Sequence, residues 1–252
     1  MCCFSGAVKQ VSATRIFARR EGTRQALVYS MTVSADQPVA MVLPLPVALP
    51  SREDAIEFVD LEGYPDFFDD MEAAFAVTEL GLDAFRPGGI DFSNGALEVH
   101  DVGAFEASYV PTRNDFLRLD RRFRLPEALW DSLPAYRDYG FAVFKLKAGR
   151  NQDVHPMALW FPTRLPDGEV FFPTVHVHDG KDVPRWASFD HTLYVQSSAD
   201  VADFYPSRQR ADTHMDVART CGLVDSRDPC FRLALGGNQR NADVIAQESP
   251  VG

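Results

Sequence analysis

A chain of 252 residues, 46% hydrophobic and 12% aromatic, has the length for one domain and enough apolar surface for a substantial core, which excludes a disordered protein. Its formal net charge of −11 and sequence pI near 4.9 oppose binding to a phosphate backbone, which asks for Lys/Arg patches. No run approaches the roughly 20 apolar residues that span a bilayer, so neither nucleic acid nor membrane is expected as a partner.

In chain order, the first forty-odd residues read as a β-meander. Thr14–Ala18, Gln25–Val33 and Val39–Leu45 are rich in β-formers and separated by turn signals at Glu21-Gly22-Thr23 and Asp36-Gln37-Pro38. Ser51 with Asp54 three residues on predicts a helix over Arg52–Val59. Pro65 opens a second helix, Asp66–Phe75, in which Phe67, Phe68, Met71 and Phe75 recur at helical spacing as a core stripe. Turns follow at Pro87-Gly88-Gly89 and Ser93-Asn94-Gly95, then an alternating stretch through Leu97, Val99 and Tyr109. Pro111–Leu119 and Pro126–Leu133 read as short helices with proline at their starts. Strands return at Phe141–Lys147, Met157–Phe161, Val170–His178, His191–Gln196 and Phe231–Leu235, and a helix over Asp212–Cys221 is closed by Gly222. Strands, then helices, then strands predict an α+β domain over 1–252, a largely antiparallel β-sheet or sandwich with a helix-rich insertion at about 51–135 layered on it.

The leading chemical feature is His176-Val177-His178. Residues two apart on a strand share a face, so this triplet sets two imidazoles side by side, a spacing suited to one metal ion. Asp179-Gly180 places them at a strand end, and Asp179 is a candidate to orient one ring. Turn chemistry alone also explains an Asp there. Cys2 and Cys3 are the second feature. Two thiolates with two imidazoles make a four-coordinate set for zinc or copper, although adjacent residues on a strand point apart, and a single Cys ligand or an apolar start tucked into the sheet fits as well. His191, beside Asp190, is a third histidine ligand if its strand lies next to His176 and His178. Removal of Met1 would give Cys2 a free α-amine, the arrangement of an N-terminal nucleophile. The catalytic candidates are thus Cys2, Asp179 and Asp190.

Other signals exclude more than they propose. The carboxylates Asp66, Asp69, Asp70 and Glu72 lack EF-hand spacing. Gly236-Gly237-Asn238 is no dinucleotide fingerprint, and no G-x-S-x-G elbow is present. The basic group Arg118, Arg121, Arg122 and Arg124 is interrupted by Asp120 and reads as an ion-pair network. Four cysteines do not make a disulfide framework. A Cys221–Cys230 bridge and two ordinary thiols both remain open. With no export-signal pattern the expected compartment is the cytoplasm.

The opening Met1-Cys2-Cys3-Phe4-Ser5-Gly6, the segment Val39–Pro46 and the segment from Phe172 through His176-Val177-His178 to Gly180 resemble a family of uncharacterised bacterial proteins. The resemblance implies no activity, so the functional expectation rests on the residues. It is a metal-binding enzyme with a copper or zinc ion held by Cys2, Cys3, His176, His178 and His191. Copper implies oxidation of a small-molecule substrate and zinc implies hydrolysis. The alternatives are a non-catalytic metal-binding or stress-related protein and an N-terminal cysteine amidohydrolase.

Overall fold

The structure is a computed structural model, and it describes residues 3–75, 100–102 and 105–249. The turns expected at 87–89 and 93–95, the Leu97–Val99 stretch and Cys2 lie outside these residues.

Apolar and β-branched runs build the main sheet. The strands β2 (Gln10–Glu21) and β3 (Arg24–Ala35) form a hairpin with Glu21 opposite Arg24. The two-residue turn between them needs a positive φ at its first position, which Gly22 supplies at +57°. Strand β3 is buried along nearly its whole length because its two faces meet two different cores. Leu27, Tyr29 and Met31 point into one cluster, while Ala26 and Val28 point into the other. The first cluster joins β3 to a second sheet through Met41 and Leu43 of β4 (Val39–Leu45) and Phe141 and Val143 of β8 (Gly140–Leu146). The second is capped by Phe67, Phe68 and Met71 of helix α1 (Phe67–Ala73). Burying each such side chain contributes about 1.5–3 kcal/mol.

The second sheet runs β1 (Cys3–Phe4), β4, β8, β7 (Phe105–Val110), β6 (His100–Val102). The main sheet has seven strands in the order β12 (Tyr205–Arg210), β13 (Pro229–Arg240), β11 (Trp186–Gln196), β2, β3, β9 (Gly149–Pro162), β5 (Glu57–Val59). Its ladders are antiparallel except β11–β2, which is parallel. A two-stranded ribbon pairs β10 (Glu169–Phe172) with β14 (Val244–Gln247).

The expected α+β class with a helical layer is therefore wrong. Among the described residues the protein is mostly β, 47% strand and 14% helix. Arg52–Val59 is not helical. Ser51 opens only a turn, and Phe58 and Val59 extend as β5 because they complete the edge beside Leu159 and Ala158 of β9. Pro111–Leu119 contracts to a 3-10 segment at Arg113–Arg118, and Pro126–Leu133 to the five-residue helix α2 (Glu127–Asp131). Asp212–Cys221 breaks into two 3-10 turns, the second followed by Cys221 at φ 52° and Gly222 at φ 81°. Segments this short gain little from helix propagation, and packing against strands decides their shape. Two acidic residues of α1 tie it to the sheet, Glu72 accepting from Tyr194 Oη and Asp69 pairing with Arg15, while Asp70 accepts from Tyr64 Oη in the preceding turn at 2.5 Å. In the basic group, Arg118 pairs with Glu53 and Arg122 with Asp120. Cys221 and Cys230 are not bridged, and burial pushes the Cys230 thiol up to about 12.

Candidate functional site

The strand expected over Val170–His178 ends early. Pro173 offers no N–H to a ladder, and β10 stops at Phe172. Beyond it the chain stays pinned, but by side chains. The carboxylate of Asp243 accepts from the N–H groups of Thr174 (2.8 Å) and Val175 (3.2 Å) and from Tyr136 Oη (2.7 Å). Asn241 acts as a peptide mimic: its Oδ1 accepts from His176 N at 2.6 Å, and its Nδ2 donates to His176 O at 3.0 Å and to Pro184 O at 2.8 Å. On the opposite edge, Phe4 N donates to Val177 O at 3.0 Å and Val8 N to His178 O at 2.9 Å. At the end of the segment Asp179 Oδ1 accepts from Lys181 N and Asp182 N, and these bonds hold its carboxyl below the usual range.

This extended segment sends Val177 into the core and the flanking histidines to the other side. The rings of His176 and His178 lie 4.9 Å apart, and His176 stacks on His191 at 5.0 Å with an interplanar angle of 22°. Phe189 packs 4.3 Å from His176. The close nitrogen pair, His176 Nε2 and His191 Nε2 at 3.3 Å, is a hydrogen bond between two rings. Burial depresses all three imidazoles, His176 to about 3, so they are neutral at physiological pH. His178 Nε2 and His191 Nδ1 are buried without a hydrogen-bond partner. Asp190 Oδ1 lies 3.5 Å from His191 Nδ1, while its Oδ2 accepts from Ala13 N at 2.8 Å.

The structure thus brings His176, His178 and His191 together, and it places Cys3 in a parallel bridge with Val177. Among the described residues, which leave out Cys2, it does not build the expected Cys/His metal site. Among the described residues no group of three or more His, Cys, Asp or Glu is disposed to hold a metal ion. The reason lies in hydrogen bonding and orientation. The Nε2 atoms of His176 and His191 are taken up by the hydrogen bond between them, one as donor and one as acceptor, and Cys3, registered with the inward Val177, is buried in the core on the side of Tyr136. The expected copper- or zinc-dependent enzyme is overturned with the site. Asp179 caps a turn and Asp190 ties β11 to the β2 backbone. The sequence reading missed Phe189, Asn241 and Asp243. Asn241-Ala242-Asp243 carries no periodicity that distinguishes it from an ordinary turn, and its role exists only where the chain returns to the pinned segment.

The same region holds a fork in the main sheet. The ladder between β2 and β11 begins at Thr14 and His191. Before that point Gln10–Ser12 pairs with β3 alone, and Trp186–Asp190 with β13 alone. A bulge at Ala13, with φ 51°, turns β2 away. Between the diverging strands opens a cleft of about 700 Å³, lined by Lys9–Ser12 on one side and Ala187–Asp190 on the other, with His176 and His178 among its walls. Asp179, Asp182 and Asp190 also line it, and Lys9 is paired with Asp36 at 2.7 Å. Among the described residues no helix is long and apolar enough to cross a membrane.

No protein-family model matches the chain. Its fold is similar to solved structures of baculovirus P35. The crystal structure of P35 itself has a TM-score of 0.49 at 12% identity, covering 98% of this chain and 99% of that chain. The P35 complex with caspase-8 gives 0.46 at 14% identity, with 94% and 96% covered. A mutated P35 after caspase cleavage gives 0.45 at 14% identity, with 94% and 99% covered.

Proposed function

We propose that the protein works by binding rather than catalysis, and that it receives an extended segment of a partner protein in the fork between β2 and β11. One observation carries this reading: two strand edges, Gln10–Ser12 and Trp186–Asp190, face each other across one open cleft with a ladder on only their outer sides among the described residues. Open strand edges are templates for an added strand, which gains main-chain hydrogen bonds whatever its sequence and specificity from alternate side chains. Here an added strand gains two edges at once.

The test is selection of random displayed peptides on the immobilised protein, followed by hydrogen exchange of the protein with a synthetic copy of an enriched peptide. The amides of Gln10–Ser12 and Trp186–Asp190 are expected to slow together. Ala187 lines the cleft half-buried, and Ala187→Trp is expected to weaken binding by about tenfold or more without lowering the unfolding midpoint. Protection elsewhere on the surface, or equal binding by Ala187→Trp, overturns the proposal.

A further inference from the structure

We infer that the segment received by the fork carries an arginine whose guanidinium lies among Asp179, Asp182 and Asp190 and donates to His178; this rests on the strand-binding reading above. The charge argument comes first. Three carboxylates line the cleft against one lining lysine, Lys9, which pairs with Asp36 at 2.7 Å. The imidazoles add no positive charge, since burial keeps them neutral. All three carboxylates are exposed at the cleft, and a cationic side chain entering beside them is favoured over a neutral or acidic one.

The hydrogen-bond inventory then selects which cation. The cleft offers acceptors that the protein leaves open. Asp190 uses Oδ2 on the Ala13 N–H, and its Oδ1 makes no hydrogen bond to His191 although it lies 3.5 Å from that ring's Nδ1. Asp179 holds its turn through Oδ1. His178 Nε2 is buried and has no partner, and in the tautomer that carries its proton on Nδ1 it is an acceptor. A guanidinium presents five N–H donors in a plane, enough to reach carboxylate and imidazole acceptors together. It also stacks on aromatic faces, which this wall provides in His178 and Phe189. A lysine ammonium supplies the charge with fewer, less directed donors.

The experiment uses the full chain and capped heptapeptides of alternating Thr and Val with Arg, Lys, Gln or Glu at the centre. Affinity is measured by calorimetry at low and high salt, and fork occupancy by hydrogen exchange at Gln10–Ser12 and Trp186–Asp190. The Arg peptide is expected to bind about tenfold tighter than the Gln peptide at low salt, with Lys between and Glu weakest. The gap should narrow at high salt and close in the double variant Asp182→Asn plus Asp190→Asn, in which the amide at 190 can still accept from Ala13. Equal affinity for Arg and Gln with the fork amides protected overturns the arginine and leaves strand binding standing. Failure of every peptide to protect those amides overturns strand binding, and the arginine with it.

Discussion

At the residue scale the cleft depends on two side chains that imitate a backbone. Asn241 satisfies both the N–H and the C=O of His176 and also the C=O of Pro184. Without it the wall of the cleft loses its inner edge, because Phe4 and Val8 hold only the outer one. Asn241→Ala is expected to destabilise the protein by about 1–3 kcal/mol, the cost of leaving enclosed polar groups unpaired, as read from urea unfolding. It should also broaden the NMR signals of the His176 and His178 rings. An unchanged midpoint with sharp ring signals would show that the segment is held by other contacts. None of this was legible in the sequence. Asn and Asp two apart in a polar stretch are ordinary turn residues, and their partners lie more than sixty positions earlier in the chain.

At the element scale the fork is set by one backbone event. Ala13 takes φ 51°, a region that costs an L-residue about 1–2 kcal/mol, and Asp190 caps its N–H from the neighbouring strand. Ala13→Gly is expected to raise stability by about 0.5–1 kcal/mol, relief of that strain less the extra entropy of the unfolded glycine. Calorimetric unfolding checks it. Strand direction carries a second expectation. Both β2 and β11 run from the mouth of the fork towards its closed end at Thr14 and His191. Antiparallel pairing is the more stable per residue, so a bound strand should run against both, its N-terminal end at the closed end. A nitroxide on the N-terminal end of a bound peptide should broaden the amides of Thr14 and His191 more than those of Gln10 and Trp186. The reverse pattern would make the added ladders parallel. The central strands were legible, since runs of β-branched, aromatic and other apolar residues in β2, β3, β4, β8 and β11 mark them. The helices were not, because caps and prolines start turns that only packing lengthens or ends, as Arg52–Val59 shows by extending beside β9.

At the scale of the whole molecule, burying a neutral imidazole stack ties stability to pH. Unfolded histidines titrate near 6.5, while His176 is held down to about 3 and His178 and His191 are also lowered, all by burial. Between those values the unfolded chain binds more protons than the folded one. This contribution is therefore complete above the ordinary histidine range and is lost as pH falls towards about 3, by up to about 1.4 kcal/mol per pH unit for each ring that stays neutral. The Asp243 carboxyl, raised by burial, acts in the opposite sense above its own unfolded value and offsets part of the loss. Urea midpoints are expected to fall from pH 7 to pH 5, with a shallower fall in His176→Gln; equal slopes would place the acid sensitivity outside the stack. By itself the sequence located the central strands, through β-branched and aromatic residues, and the shared side of His176 and His178, through their spacing. Tertiary structure alone decided that His191 stacks on His176, that Cys3 turns to the core beside Val177, and that β2 and β11 part at Ala13. Those outcomes depend on which distant strands become neighbours and in what register, and a local pattern of apolar residues does not encode either.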